Sequence, residues 1–326
     1  MKAAIVDQPN APFRIAEIET PKPSAGQVLV RILASGVNPL DTKIRAGEAE
    51  HAHQPLPAVL GLDLAGIVET VGRGVTDFHS GDEVYGLAGG VGGLQGTLAE
   101  FAAVDARLIA KKPANLTMEQ AAALPLSVIT AWEGLVDRAH VCTGQTVLIH
   151  AGAGGVGHLA VQVAAAFGAR VFATVSASKA HIARQFGAYP IDYQSQSVEE
   201  YVREFTGGEG FDIVYDTVGG ATLDATFTAV KRYTGRALSC LGWGTHALAP
   251  LSFRGATYSG VFTLYPMLSG VGREHHGEIL EEAARLAEAG KLIPLLHPES
   301  FSFDSIEAAH SLVAAGKAQG KAVVTI

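Results

Sequence analysis

Cysteine is scarce in this chain: two among 326 residues, Cys142 and Cys240, far apart. That excludes a disulfide framework and suits a reducing cytoplasm. Both read as packing residues, since a buried thiol behaves as a small hydrophobe. Positive charge is short as well. Lys and Arg number 24 against 32 Asp and Glu, the net charge is −8, and no basic block occurs. Nucleic acid is thereby excluded as a main partner. No apolar run reaches membrane-spanning length without charges or breakers, so no membrane is expected as a partner. The opening Met1-Lys2-Ala3-Ala4-Ile5-Val6-Asp7 reads as a strand and lacks the pattern of a secretory leader. No internal repeat or low-complexity segment stands out. Apolar residues are plentiful, at 48% of a chain long enough for two domains with their own cores.

The most informative stretch runs from Thr146 to Gly157. Thr146-Val147-Leu148-Ile149-His150 is a strand-like run that stops at Gly152-Ala153-Gly154-Gly155-Val156-Gly157. Gly152, Gly154 and Gly157 fit G-x-G-x-x-G, where glycine allows a tight turn and a close approach of backbone to a diphosphate. The spacing predicts a helix over Val156–Phe167, stopped by Gly168. Arg170–Val175 then reads as a second strand. Strand, turn, helix and strand in about 30 residues make a βαβ unit of dinucleotide-binding length.

Before this point the chain is rich in short strands and turns. Gln27–Ala34, Leu64–Val71, Asp82–Gly86 and Leu98–Val104 predict a compact, barrel-like β domain. The stretch from Gly89 to Gly96 holds five glycines and reads as a flexible loop. Thr117 and Gln120 have the spacing of a capping box, and the alanine-rich helix after them breaks at Pro125. From there to about Thr263, strands and helices alternate as in a parallel α/β sheet. Phe211–Asp216 and Arg236–Leu241 are strands followed by glycine, at Gly219-Gly220 and Gly242. Two amphipathic helices follow, Glu278–Ala289 and Ser305–Ala315. The closing strand Lys321–Ile326 needs a sheet to join and is expected to return to the first domain.

A dinucleotide fingerprint normally carries an Asp or Glu about 20 residues on, for the adenosine ribose. Here that place holds Ser176-Ala177-Ser178-Lys179, and no acid occurs between Arg138 and Ile191. A carboxylate would repel a 2′-phosphate, whereas hydroxyls and an ammonium would hold it. NADPH is therefore favoured over NADH. A structural alternative stays open: Ser178 caps a helix reaching Phe186, with Lys179 solvated in its first turn.

Asn38-Pro39-Leu40-Asp41, Gly61-Leu62-Asp63-Leu64-Ala65-Gly66, Gly81-Asp82-Glu83-Val84-Tyr85-Gly86 and Ala151–Gly157 occur in that order. Together they resemble the medium-chain dehydrogenase/reductase superfamily, in the zinc-independent quinone oxidoreductase branch that includes zeta-crystallin. The resemblance covers essentially the whole chain. It implies an α/β fold, with a GroES-like domain over 1–120, completed by 265–326, and a Rossmann domain over 121–264. It implies a site in the cleft between the domains and a homodimer in which the edge near Ser252–Leu264 extends the sheet. Gly152, Gly154, Gly155, Val156 and Gly157 would hold the diphosphate, and Ser176, Lys179 and Tyr193 the 2′-phosphate. Asn38 and Thr130 would approach the nicotinamide. Backbone near Phe262 and Leu264 would meet the carboxamide, and Lys321 would edge the cofactor.

Zinc alcohol dehydrogenases of this superfamily carry a Cys near the position of Asn38 and a Gly-His-Glu triplet where this chain has Gly61-Leu62-Asp63. Leucine cannot ligate zinc, and two distant cysteines cannot build a four-cysteine lobe. His51-Ala52-His53 has a metal-binding spacing only if it lies on a strand. It and His275-His276 beside Glu278 read as surface features, so no metal is expected. Without one, charge arriving on a quinone or enone oxygen needs a hydrogen-bond donor. Asn38 is the first candidate and Thr130 the second; as a residue before Pro39, Asn38 also has a plain turn explanation. A tyrosine that many quinone reductases carry after the Ile44–Gly47 stretch is replaced here by Glu48-Ala49-Glu50-His51. The expectation is a cytoplasmic NADPH-dependent reductase of a quinone or enone. The alternatives are a zinc-type alcohol dehydrogenase and a non-catalytic NADPH-binding sensor or structural protein.

Overall fold

The computed structural model describes all 326 residues, Met1–Ile326. The chain divides into two compact units. One comprises Met1–Ile129, Leu264–Gly290 and Pro294–Ile326, and the other Thr130–Thr263 with Lys291–Ile293.

The first unit opens with β1 (Lys2–Val6), β2 (Arg14–Glu17) and β3 (Gln27–Val37). It continues with β4 (Ala58–Val59), β5 (Asp63–Val71), β6 (Glu83–Leu87), β7 (Phe101–Asp105) and β8 (Ile109–Lys111). Burial alternates along the first part of β3, as an antiparallel strand with one covered face requires, but its last residues are buried on both sides. The reason is a helix over Met118–Ala122, whose Ala122 carbonyl oxygen would stand 2.2 Å from a Cβ at Gly36. Thr117 caps that helix and accepts from the Gln120 N–H. Pro125 begins the next helix, Pro125–Trp132, where its missing N–H costs nothing. Val28, Val30, Ile32, Leu64, Val68, Val84 and Val104 form the core of this unit.

Two local expectations change. The Gly89–Gly96 stretch is no flexible loop: Val91 is fully buried, and Gly92 and Gly96 donate backbone hydrogen bonds to Ala52 and Val59. His51 lies in a short 3-10 turn (Glu50–Ala52) and His53 follows it with φ 48°, so the pair is not on a strand.

The second unit is a six-stranded parallel sheet of β9 (Thr146–His150), β10 (Arg170–Val175), β11 (Tyr189–Asp192), β12 (Ile213–Asp216), β13 (Arg236–Ser239) and β14 (Thr257–Gly260). Their order in the sheet is β11-β10-β9-β12-β13-β14. The chain builds outward from β9 to one side and then from β12 to the other. The strand order therefore reverses between β9 and β12, and the carboxyl ends of strands at such a switch point are where these sheets bind ligands. Leu148, Phe172, Ile191, Phe211, Val214 and Phe227 pack the core. Cys142 is exposed, contrary to its reading as a packing residue, because it lies in the turn before β9; Cys240 is partly buried.

The chain then returns to the first unit with β15 (Phe301–Ser302) and β16 (Ala322–Thr325). β16 pairs antiparallel with β3, setting Ala322 opposite Val37 and Thr325 opposite Ala34. A terminal strand thus sits inside the first unit's larger sheet, between β15 and β3. No helix is long and apolar enough to cross a membrane.

Candidate functional site

Each unit carries one constellation of polar side chains. In the first, β3 runs out at Val37 and Asn38 takes an extended conformation, φ −114° and ψ 154°. It caps a helix over Pro39–Ala46, which Pro39 starts. The Asn38 N–H donates to Asp41 Oδ2 at 2.8 Å. The Asn38 carboxamide is engaged at both ends: Nδ2 donates to Asp63 Oδ2 at 2.9 Å, and Oδ1 accepts from Lys321 Nζ. Asp63 Oδ1 accepts from the Leu126 N–H at 2.9 Å. Lys321 Nζ stands 3.8 Å from Asp63 Oδ2. Asn38 and Asp41 are each 1% exposed, Asp63 0% and Lys321 4%.

Burial sets the electrostatics here. It raises the Asp63 carboxyl above its usual range, against the pull of Lys321, and lowers the Lys321 ammonium, against the pull of Asp63. Burial, with the nearby Asp63 charge adding to it, pushes Asp41 from the ordinary 3.8 up to about 8. Its Oδ1 has no hydrogen-bond partner, so nothing there offsets the loss of hydration of an ionised carboxylate. A folded value above the unfolded one stabilises the fold fully below about pH 4 and progressively less as pH rises toward 8. Asp41 is thus expected to subtract up to about 1.4 kcal/mol of stability per pH unit across that window. Denaturant titrations at several pH values should give a flatter profile for Asp41→Asn than for the wild type. An unchanged slope would show that Asp41 is ionised in the fold.

In the second unit, β9 ends at His150 and the chain turns through Ala151, at φ 53°. The Gly152 N–H donates to the Thr174 carbonyl at 3.2 Å and that of Gly154 to the Ala151 carbonyl at 2.8 Å. The helix begins at Gly157 and ends at Ala166, and Gly168 follows with φ 82°. The His158 N–H donates back to the Gly154 carbonyl at 3.1 Å and that of Leu159 to the Val156 carbonyl at 3.1 Å, which leaves the N–H groups of Gly155, Val156 and Gly157 for a ligand. A Cβ at Gly152 would meet Ala173 Cβ at 2.4 Å, and one at Gly157 would meet the Ala151 oxygen at 2.1 Å. Gly154 differs: its nearest neighbour is the Ala151 oxygen at 3.1 Å, so the space before it stays open.

The register brings Val175 beside Asp192, so Ser176 and Tyr193 leave adjacent strand ends. Ser176 Oγ lies 3.1 Å from Ser178 Oγ. Ser178 is not the cap: it sits inside a 3-10 turn over Ala177–Lys179, and the helix Ala180–Gln185 starts after Lys179. Tyr193 is 57% exposed. One acid does come near, just past the acid-free stretch, but Asp192 is occupied within its own turn by the Gln194 N–H at 3.2 Å and Ser195 Oγ at 3.2 Å.

Thr130 Oγ1 lies 3.0 Å from Thr263 Oγ1, and Thr263 Oγ1 reaches Glu133 Oε2 at 3.5 Å. Either threonine hydroxyl can donate in the Thr130–Thr263 pair, and Thr263 also has the Glu133 carboxyl as an acceptor. Phe262 is partly exposed after β14, and Leu264 is buried at the start of the returning segment.

Asp41, Asp63 and Glu133 were not singled out from sequence. Asn38-Pro39-Leu40-Asp41 carries a readable signal, the N-cap-to-N3 spacing of a capping box. Asp63 and Lys321 are joined only by the pairing of β3 with β5 and β16, which no local pattern reveals.

Residues 24–114 match the alcohol dehydrogenase GroES-like domain, and residues 186–324 match the family described as zinc-binding dehydrogenase. A 2-methylene-furan-3-one reductase of Solanum lycopersicum is 37% identical over 95% of this chain and 74% of its own. The chloroplastic NADPH-dependent alkenal/one oxidoreductase of Arabidopsis thaliana is 35% identical over 95% of this chain and 74% of its own. The crystal structure of an alcohol dehydrogenase superfamily protein from Novosphingobium aromaticivorans is 59% identical, with a TM-score of 0.98, over 100% of this chain and 99% of that one. The chain belongs to the medium-chain dehydrogenase/reductase superfamily, on its quinone oxidoreductase-like side, and is an oxidoreductase.

Proposed function

We propose that this oxidoreductase reduces small quinones or α,β-unsaturated carbonyls with NADPH and without a metal. The observation that carries the reading lies at positions 38, 62 and 321. Where the zinc enzymes of the superfamily place ligands, this chain has a fully buried Leu62 and a carboxamide already held by an ammonium and a carboxylate. That donor set does not fit zinc, which takes thiolate, imidazole and carboxylate. The relatives support the substrate class: a 2-methylene-furan-3-one is an enone, and the Arabidopsis protein is an alkenal/one oxidoreductase.

The second unit fits a phosphorylated dinucleotide. Gly152, Gly154, Gly155, Val156 and Gly157 would hold the diphosphate against the backbone N–H groups of the turn. Ser176, Lys179 and Tyr193 would hold the 2′-phosphate, and backbone near Phe262 and Leu264 the carboxamide. When bound, NADPH supplies the hydride. Asn38 offers the second N–H of its carboxamide to the substrate oxygen as charge builds there. Thr130, whose hydroxyl pairs with Thr263, is the second candidate donor to that oxygen. Quinones and enones are electrophilic enough to need no stronger activation. The unpaired cysteines suit a cytoplasmic protein. The outer strand β14 leaves a sheet edge that we assign to a homodimer.

The test is NADPH and NADH oxidation against a panel of quinones, enones and alcohols, with and without chelator, on a sample also analysed for metal and sedimentation. Turnover of quinones or enones with NADPH, indifferent to chelator, on a dimer is the expected result. Bound zinc with chelator sensitivity would make it an alcohol dehydrogenase. Tight NADPH binding with no turnover would make it a binding protein.

A further inference from the structure

The carboxamide of Asn38 is held from more sides than a helix cap needs. Nδ2 faces the Asp63 carboxylate and Oδ1 faces the Lys321 ammonium. Turning the amide over would set its N–H groups against an ammonium and its oxygen against a carboxylate, so the network permits one orientation. Neither partner is free to follow the amide if it swings. Asp63 is tied through its other oxygen to the Leu126 N–H. Lys321 is fixed at its backbone, donating to the Leu295 carbonyl at 2.7 Å and accepting from the His297 N–H at 2.9 Å. A cap needs none of this: the Asn38 N–H already has Asp41.

We propose that Asp63 and Lys321 are positioning residues for the reduction. Together they hold the Asn38 carboxamide in the one orientation that leaves a single N–H for the substrate oxygen. The proposal rests on Asn38 being the donor to that oxygen. Two acceptor oxygens on Asp63 are required, one for Asn38 and one for Leu126. An asparagine at 63 has one oxygen for those two donors, so one N–H would face another and the amide of Asn38 would lose its anchor. Misplacing a group at a reacting centre by about an ångström costs on the order of 100-fold in rate.

The experiment is a double-mutant cycle on the full-length enzyme with NADPH and one quinone or enone substrate. Asn38→Ala should lower kcat about 10²- to 10³-fold, as loss of one oxyanion donor does. Asp63→Asn should lower kcat about 10- to 100-fold while the NADPH dissociation constant, from fluorescence titration, moves less than about twofold. Lys321→Met should lower kcat by a similar factor. Lys321→Gln, which keeps a donor for Asn38 Oδ1, should recover most of the lost rate. In the Asn38→Ala background, Asp63→Asn should cost almost nothing further, since no amide remains to be positioned. A purely structural role predicts the opposite: equal losses in both backgrounds, tracking the melting midpoint. Such additivity, or an unchanged kcat in Asp63→Asn, overturns the proposal. If Asn38→Ala itself keeps wild-type kcat, Asn38 is not the donor and the positioning role falls with it. Should Asp63→Asn fail to fold, the Lys321 pair decides by the same comparison.

Discussion

Ser176→Asp is expected to shift cofactor use by this enzyme away from NADPH and toward NADH. The side chain leaves the carboxyl end of β10, next to Tyr193 at the end of β11, where the adenosine ribose of a dinucleotide lies in such folds. Serine there offers a donor and no charge. A carboxylate would accept from both hydroxyls of an unphosphorylated ribose and oppose a 2′-phosphate. Discrimination of about 2–3 kcal/mol is expected from adding a repulsive charge contact. At 1.4 kcal/mol per tenfold, the ratio of kcat/KM for NADPH to that for NADH should fall by about 10²-fold. Asp192 already stands one strand over, yet its carboxylate is turned into its own loop by Gln194 and Ser195, so the wild type feels little of it. Steady-state kinetics with both cofactors check this, and a ratio that does not move would place the 2′-phosphate away from Ser176.

The second large effect separates two glycines of one turn. Gly157→Ala puts a methyl group 2.1 Å from the Ala151 oxygen and 2.8 Å from its carbonyl carbon, which only a backbone shift relieves. Overpacking of this kind costs about 1–3 kcal/mol or more, so the melting midpoint should fall together with NADPH binding. Gly154→Ala meets only the Ala151 oxygen at 3.1 Å, a contact a small adjustment accommodates. Its methyl group would instead stand where the proposed diphosphate site brings backbone against the ligand. Stability should therefore hold within about 1 kcal/mol while the NADPH dissociation constant rises at least about tenfold. Calorimetry and fluorescence titration of the two variants check the contrast. Equal melting points, or tight NADPH binding by Gly154→Ala, would refute this account of the turn.

Much of the second unit was legible in sequence because its signals are local. A strand, a glycine turn and a helix stop are neighbours along the chain, and β10 spans the predicted Arg170–Val175. The return of the last strand was legible for a different reason: an isolated apolar strand has nowhere stable to go. What stayed hidden depends on packing between distant segments. Five glycines between Gly89 and Gly96 suggest mobility until the strands they pass beneath are known, and there they allow close burial. The serine at 178 looks like a cap by spacing, yet the chain tightens into a 3-10 turn first. The ion pair beneath Asn38 joins positions 63 and 321, and only the sheet makes them neighbours.

That last strand also orders events during synthesis. β3 receives β16 as a partner only after the roughly 280 intervening residues have been made, so until then Ala34–Val37 of β3 lack a partner beside the stretch that β7 covers. The second unit, almost wholly continuous in sequence, has every strand it needs well before then. An open strand edge invites pairing with other chains, and the growing polypeptide carries one until Ala322–Thr325 emerge. The same segment brings Lys321 to Asn38 and Asp63, so the buried ion pair depends on the strand that fills this edge of β3.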